Sequence, residues 1–531
     1  MATRRDALKS LAAMAMGSTL SATGAAAATA PAMVSGKYGA RKQPNILIFL
    51  TDDHARWLQQ AYGNSEVKTP NMTRIAERGV RMLNAHTPSP VCSPARACFF
   101  TGRMPSQHGI HDWLEEYKDS YAYPWLKGQT LISELLKGVG YNTALVGKWH
   151  CGEDRYPHPG FDEWFCFWFA QYPHYGLQNF SDNGKHVTAN GLQSPFLSAQ
   201  AIDFVKGHYA NEKTKDSPFF LFVGYTDTHS PHIEMPEGLV SEYDDATFRD
   251  IHKEEPQPCH GVVLTGISKD PKVERMKLQE YYAAASTVDR EVGRVLDALE
   301  ETMSREELEN TIIIYTTDHG LNAEQHGIWE KGNATIPQNF LEESIMIAQA
   351  FSWPAGGIPE GLALDIPVNH CDLFQTLLDA AGATPDETTA RKINSPGRSY
   401  LAHLRGDNSN LWRSEVICEY GNARMMKQDG YKLILRYPYA GIQFENELYD
   451  LKADPQENVN IYKEPEHANR VASMTKAIEA FFAVYTVPGH SGLELAKQPQ
   501  ATPASPWLHA IKLQKENKLP EGLLVKPGSS A

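Results

Sequence analysis

Two short apolar runs that each end in acidic residues constrain this chain more than anything else in its sequence. Asn45-Ile46-Leu47-Ile48-Phe49-Leu50 leads straight into Thr51-Asp52-Asp53-His54, and Thr311 to Tyr315 leads into Thr316-Thr317-Asp318-His319-Gly320. Unbroken apolar runs of this kind, bounded by polar or turn residues, are strands covered on both faces. Phe219 to Val223 is a third. Helix-like stretches lie at Thr69 to Arg78, Thr130 to Gly138, Gln279 to Glu300 and Cys371 to Ala381. Strands and helices that alternate in this way predict an α/β fold with a large, mostly parallel sheet flanked by helices. Ligands of such sheets bind at the carboxyl ends of strands, which is where both acidic motifs fall.

After the polar stretch Arg405-Gly406-Asp407-Asn408-Ser409-Asn410 the pattern changes. Short strand-like pieces, Tyr431 to Arg436 and Glu447 to Leu451, precede a helix near Ala468 to Tyr485. The reading is a large domain over residues 44–405 and a smaller C-terminal α+β subdomain with a short antiparallel sheet over 411–487. A tail over 488–531, rich in proline and glutamine, then wraps the surface or is partly disordered. Residues 1–35 stand outside the fold. There Thr3-Arg4-Arg5-Asp6-Ala7-Leu8-Lys9 precedes a weakly apolar stretch, Leu11 to Leu20, and an alanine-rich segment with small-x-small cleavage options. This is similar to a twin-arginine export signal. It predicts a periplasmic or secreted protein, exported after folding, so that any modification is installed beforehand.

Composition narrows the function classes. Acidic residues outnumber basic ones, 64 against 50, for a formal charge of −14, which argues against nucleic acid or an anionic membrane surface as partner. A hydrophobic content of 42% supports a large core. Beyond residue 40 no long uncharged apolar run exists, so stable membrane insertion is not expected. The seven cysteines, at 92, 98, 151, 166, 259, 371 and 418, form no C-x-x-C pair. Neither a zinc ribbon nor a dense disulfide scaffold is indicated.

The chemistry gathers at the strand ends. Carboxylates delivered by two strands to one sheet edge outline a site for a hard divalent cation, Ca²⁺ before Mg²⁺. Between the two motifs lies Pro90-Val91-Cys92-Ser93-Pro94-Ala95-Arg96-Ala97-Cys98-Phe99-Phe100-Thr101-Gly102. Ser93 as N-cap, Pro94 at the first helical position and Gly102 past the end describe a short helix whose start favours anions beside Cys92. Cys92 is then either reactive or a buried structural cysteine.

Cys92-Ser93-Pro94-Ala95-Arg96, extended through Thr101-Gly102, resembles the signature of the type I, formylglycine-dependent sulfatases of the alkaline phosphatase superfamily. Gly140 to His150 matches a second motif of that family, and the resemblance runs from about residue 45 to 485, closing on Glu447-Leu448-Tyr449-Asp450-Leu451 and Asp454-Pro455-Gln456-Glu457. It implies an alkaline phosphatase-like fold and a Cys92 oxidised to formylglycine by a generating enzyme before export. One hydroxyl of the hydrated aldehyde would attack sulfur, and the second would expel sulfate. By the same resemblance Asp52, Asp53, Asp318 and His319 ligate the cation together with an oxygen of the modified Cys92. His319 stands where many members carry asparagine. Arg96 and Lys148 would stabilise the attacking oxygen and the sulfate, and His150 would hold or deprotonate the second hydroxyl. His229, in Thr228-His229-Ser230-Pro231-His232, would be the general acid, with His232 as its rival, and Lys331 would bind sulfate and assist departure.

Substrate identity is less constrained. The aromatic stretch from Phe161 through Tyr175 either stacks on rings at the pocket mouth or belongs to the core. His54, Arg56, Trp57, His108, His111, His174 and Asn333 are candidates for the substrate-facing wall. The acidic balance favours a small or terminal sulfate ester over a long polyanion. The leading expectation is a sulfuric ester hydrolase acting on a sulfated carbohydrate or small organosulfate. The alternative is a phosphonate monoester or phosphodiester hydrolase using the same modified cysteine. A two-zinc phosphodiesterase would need a serine or threonine nucleophile and a second histidine-rich metal set.

Overall fold

The computed structural model describes residues 43–115, 123–168, 173–232, 235–251 and 261–525. The leader read over residues 1–35, and Cys259, lie outside them. Ten strands form the main sheet: β1 (Asn45–Thr51), β2 (Val80–Met82), β3 (Asn142–Gly147), β4 (Glu163–Phe167), β5 (Tyr175–Asp182), β6 (Lys185–Leu192), β7 (Phe219–Tyr225), β8 (Thr311–Thr317), β9 (Gln349–Ser352) and β10 (Leu362–Leu364). Their order is β10-β2-β9-β8-β1-β7-β3-β4-β5-β6. The central strands β8, β1, β7, β3 and β4 are parallel. Antiparallel pairings occur only towards the margins, where β9 lies between β8 and β2 and the β5–β6 hairpin follows β4.

The three apolar runs are the middle of this sheet. Every residue of β1 and β7 is buried, and β8 departs from this only at Ile313. Burial on both faces explains why these strands are continuously apolar, whereas the marginal β5–β6 hairpin mixes exposed and buried positions. The flanking helices include α1 (Pro70–Glu77), α2 (Cys92–Thr101), α3 (Gln193–Ala210), α4 (Pro271–Thr302) and α5 (His370–Ala381). α1 and α3 pack on α4, and α2 packs on α5. α4 begins at Pro271 rather than Gln279, because Asp270 accepts the Lys272 N–H at 2.9 Å and Pro271 occupies the first helical position. Phe161, Trp164 and Phe167, from the aromatic stretch, are buried in the main core with Trp149.

The C-terminal sheet is antiparallel, ordered β11 (Val416–Tyr420), β12 (Ala423–Gln428), β13 (Tyr431–Arg436) and β14 (Glu447–Asp450), with α6 (Ala468–Val484) packed on β12 and β13. It shares an apolar cluster with Val91 and Phe340. Its fully buried Lys432 bridges Glu342 at 2.9 Å and Glu457 at 2.6 Å, and paired burial of this kind makes register matter. Beyond it, the chain continues through α7 (Pro506–Lys515), where Trp507 meets Tyr420 edge-on and the Ala501 carbonyl accepts the Glu115 N–H. Among the described residues, no helix is long and apolar enough to cross a membrane.

Candidate active site

Register decides what meets at the carboxyl edge of the sheet. Thr51 pairs with Thr317 on one side and Tyr225 on the other, and Gly147 pairs with Gly224. Asp52–Asp53, Asp318–His319, Thr226–His229 and Lys148–His150 therefore leave the sheet together. Gly147 sits at φ +93°, and a Cβ there would lie 2.1 Å from the Gly224 carbonyl. Only glycine lets β3 approach β7 this closely before Lys148 emerges.

The acidic residues converge on one point. His319 Nε2 lies 3.3 Å from Asp53 Oδ1, 3.6 Å from Asp318 Oδ1 and 3.8 Å from Asp52 Oδ1, with Cys92 Sγ at 3.1 Å. All of these residues are buried. His319 Nδ1 is 2.9 Å from the Gly320 carbonyl, which can only accept, so Nδ1 carries the hydrogen and Nε2 presents a lone pair. Burial lowers the His319 pKa and keeps the ring neutral. A lone pair facing three carboxylate oxygens repels them unless a cation sits among them. Burial also pushes the Asp53 carboxyl well above its usual range, even against Lys331, and the charges of Glu330 and Asp52 add to this. The donor set of Asp52, Asp53, Asp318 and His319, with an atom at position 92, suits a divalent cation.

Three buried cations surround that centre. Arg96 donates from Nε to Asp318 Oδ2 at 2.9 Å and from Nη1 to the Lys148 carbonyl at 2.9 Å. Lys148 Nζ bonds Asp52 Oδ2, and Lys331 Nζ bonds both Asp53 oxygens, at 2.6 and 2.7 Å. Burial opposes ionisation of Asp52, but the charges of Lys148, Arg96 and Lys331 outweigh it and hold that carboxyl well below its ordinary range. Three carboxylates against three cations balance, and Glu330, 3.4 Å from Lys331, leaves the cluster at a formal −1, which a divalent ion would turn positive and so attractive to an anion.

The imidazoles divide between the site and the core. His229 Nε2 lies 3.2 Å from Lys331 Nζ and 3.6 Å from Asp53 Oδ2, while its Nδ1 donates to the Ser230 carbonyl at 2.7 Å. His232 instead packs its ring against Tyr281 and Trp329, at centroid distances of 5.0 and 5.2 Å. Geometry therefore brings His229, not His232, to the acidic centre. His150 donates from Nε2 to the Leu114 carbonyl at 3.0 Å, which leaves Nδ1 as a buried acceptor without a hydrogen-bond partner among the described residues.

α2 carries Cys92 at its first position. The N-cap is Val91, with extended φ −151°, and no side chain caps the helix. Ser93, expected as the cap, lies one residue inside, where its hydroxyl accepts the Leu114 N–H at 3.0 Å. Gly102 ends the helix at φ 65°, as expected. Cys92 Sγ donates to Asp52 Oδ1 at 3.1 Å, and burial, followed by the Asp52 charge, pushes its thiol well up. An unmodified Cys92 is thus a protonated thiol, a weak nucleophile.

Two expected wall residues belong to the core. His54 bonds the Leu58 carbonyl at 2.9 Å and the Tyr315 hydroxyl at 2.6 Å. His108 bonds Cys98 Sγ at 3.4 Å and the Ile110 N–H at 3.1 Å. Both are spent on local polar groups that only the folded chain brings near them. Arg56 and Trp57 line a separate cavity with Arg249 and Glu343. His174 lies 3.8 Å from Asp227, and Asn333 is half-buried two positions past Lys331. The sequence reading missed the residues that hold the acidic loops. Tyr281 donates to the Asp53 carbonyl at 2.6 Å and accepts the Ala55 N–H at 2.9 Å, fixing Asp53 at φ 55°. Thr228 donates to the Asp52 carbonyl at 3.0 Å, and His370 Nε2 to that of Asp318 at 3.0 Å.

Comparison with known proteins bears on this arrangement. The profile of the sulfatase family matches residues 44–383, and that of the N-sulphoglucosamine sulphohydrolase C-terminal region matches 327–483. An N-acetylglucosamine-6-O-sulfatase of Bacteroides thetaiotaomicron is 25% identical over 515 residues, covering 82% of this chain and 86% of the relative. A protein solved in complex with its substrate D-glucosamine-2-N,6-O-disulfate superposes with a TM-score of 0.68 at 23% identity, over 84% of this chain and 98% of the other. The phosphonate monoester hydrolase of Agrobacterium radiobacter shares the fold, with a TM-score of 0.66 at 18% identity over 83% and 96%. With its large sheet, its smaller C-terminal antiparallel sheet and a family match across most of its length, the chain belongs to the sulfatase family of the alkaline phosphatase superfamily and is a sulfuric ester hydrolase.

Proposed function

We propose that the enzyme releases inorganic sulfate from a sulfated carbohydrate, with position 92 converted to formylglycine. The observation that carries this reading is the place of Cys92: at the helix start, with Sγ 3.1 Å from both Asp52 Oδ1 and His319 Nε2. The two relatives named above for glucosamine sulfates support the carbohydrate class. A formylglycine hydrate at position 92 would supply one hydroxyl to bond sulfur as the substrate's alcohol leaves, and a second whose deprotonation would expel sulfate and restore the aldehyde. Asp52, Asp53, Asp318 and His319 would hold a divalent cation, Ca²⁺ or Mg²⁺, which would supply positive charge for the sulfate oxygens.

The chain's own groups do the rest. Arg96 Nη2, 3.7 Å from Asp52 Oδ2 and without a hydrogen-bond partner among the described residues, and Lys148 hold anionic oxygen against the helix start. His150 Nδ1, a bare acceptor on a ring that burial keeps neutral, takes the proton that sulfate expulsion requires. His229 and Lys331, in contact at 3.2 Å, deliver a proton to the leaving oxygen. Burial and the Lys331 charge keep His229 neutral in the free enzyme. The sulfate ester is itself fully ionised and brings no proton, so His229 takes one from solvent when the bound anion's charge favours the imidazolium, or receives it through Lys331. The twin-arginine-like leader supports export of the folded, modified enzyme to the periplasm or beyond.

Peptide mass spectrometry across Cys92, on protein coexpressed with a formylglycine-generating system, tests the reading. An aldehyde or its hydrate is expected, together with faster turnover of an aryl sulfate than of an aryl phosphodiester. An unmodified thiol in active enzyme would overturn the nucleophile, and faster phosphodiester turnover would favour the phosphonate monoester hydrolase alternative. His229→Ala tests the acid. On a sugar sulfate, whose alcohol leaves poorly, kcat should fall about 10²–10⁴-fold, the usual weight of general acid catalysis. On an aryl sulfate with an acidic leaving group the loss should be much smaller, and equal losses would move the acid elsewhere.

A further inference from the structure

Next to Lys331 the structure holds a further carboxylate, that of Glu330, which takes no part in the cation site. Trp329–Glu330 pairs antiparallel with Asn322–Ala323, and in a regular strand the side chains of Glu330 and Lys331 would point to opposite faces. Glu330 instead has φ 88°, a left-handed conformation uncommon for a residue with a Cβ. The Asn322 side chain donates to its carbonyl at 3.0 Å and holds the bend. Glu330 Oε2 thereby comes to 3.4 Å from Lys331 Nζ, which itself touches His229, and the Ser230 hydroxyl donates to the Glu330 carboxylate. Backbone strain of this kind persists where its surroundings over-determine it, and it clusters at functional sites.

This carboxylate lies where an incoming ester would meet it. The side chains of Asp52, Asp53, Asp318 and His319 are wholly buried, whereas His229 and Glu330 keep 15% and 18% of theirs exposed. Among the described residues around the centre, these two mark the side open to solvent. Burial opposes ionisation of Glu330, but the Lys331 charge and the Ser230 hydroxyl outweigh it and hold the carboxyl below its ordinary range. Glu330 is therefore a fixed negative charge at neutral pH. Sulfate esters and phosphate monoesters offer nearly the same tetrahedron of oxygens, so hydrogen bonds from Arg96, Lys148 and Lys331 do not separate them. Charge does, because the sulfate ester carries one negative charge and the phosphate monoester about two. A negative charge beside the anion site opposes each unit of ligand charge and so penalises the dianion more. At an effective dielectric of about 20, a unit charge within about 10 Å of another is worth about tenfold or more in affinity.

We propose that Glu330 is a specificity-determining residue, whose charge beside Lys331 makes the site accept monoanionic esters and reject dianionic ones. The proposal rests on the sulfate site described above, though not on its nucleophile. The full chain carrying Cys92→Ala, loaded with Ca²⁺ and unable to turn over, is titrated calorimetrically near pH 8 with 4-nitrophenyl sulfate, 4-nitrophenyl phenylphosphonate and 4-nitrophenyl phosphate. The first two are monoanions and the third is a dianion. Adding Glu330→Gln should strengthen phosphate binding about tenfold or more relative to both monoanions, whose own ratio should stay the same. Glu330→Gly, which removes the strain together with the charge, should shift the ratio as glutamine does. Thermal melts and metal analysis of each variant establish that it is folded and loaded. Absence of binding by both monoanions, a relative phosphate affinity that Glu330→Gln leaves unchanged, or a shift produced by glycine alone would overturn the proposal. Because a phosphonate monoester is also a monoanion, the expected pattern in a chain whose Cys92-containing parent fails to release sulfate would count against the proposed function alone.

Discussion

Cys92→Ala is expected to reduce sulfate release by about 10⁵-fold or more, the scale on which a covalent nucleophile acts. The fold should survive. The deleted Sγ touches Asp52 and His319, and removing one small buried group costs about 1 kcal/mol. In a chain of this size that is a melting shift of a few °C at most. Cys92→Ser sharpens the test. Serine offers a single hydroxyl, so once it has displaced the substrate alcohol and joined sulfur, no second hydroxyl remains to lose a proton and drive sulfate out. The expected result is one equivalent of alcohol released per enzyme, little free sulfate, and a sulfo group retained on the peptide that contains position 92. Multiple turnovers by Cys92→Ala on a sulfate ester would remove Cys92 from the chemistry altogether.

The sheet and the acidic cluster at its edge were legible because each announces itself locally. Strands β1, β7 and β8 are buried on both faces, so their sequences are unbroken apolar runs, and parallel pairing puts whatever follows them at one edge. The acidic ends of β1 and β8 had therefore to meet. Arg96, Lys148, His229 and Lys331 were named through resemblance rather than spacing, and the structure brings all four to the acidic centre. What was not legible depends on partners distant in sequence. Tyr281 lies within α4 among other buried aromatics, and nothing local shows that its hydroxyl holds the Asp53 carbonyl. His54 and His108 read as polar residues near a motif, yet each is consumed by a neighbour that only the fold supplies. Ser93 reads as a helix cap because serine usually is one. Here Val91 takes the extended cap conformation, and Ser93 turns to Leu114 instead.

Removal of divalent cations should lower activity and stability together. Asp52, Asp53, Asp318 and His319 are fully buried within a few ångström of one another, and His319 turns a lone pair rather than an N–H towards the carboxylates. Lys331, Lys148 and Arg96 offset part of this repulsion from the outside, but none of them supplies the charge at the centre. A cation that binds the folded chain alone stabilises it by mass action, about 2.7 kcal/mol at a hundredfold excess over Kd. Dialysis against a chelator should then drop the melting temperature by several °C and abolish turnover. Ca²⁺ or Mg²⁺ should restore both over the same concentration range, because a single binding event underlies them. Asp318→Asn should reproduce the loss without a chelator. It removes one ligand charge and also weakens the 2.9 Å Arg96 contact that orients the start of α2. A melting temperature that chelation leaves unchanged, in enzyme shown by elemental analysis to be metal-free, would mean that the acidic cluster is held by its lysines and arginine alone.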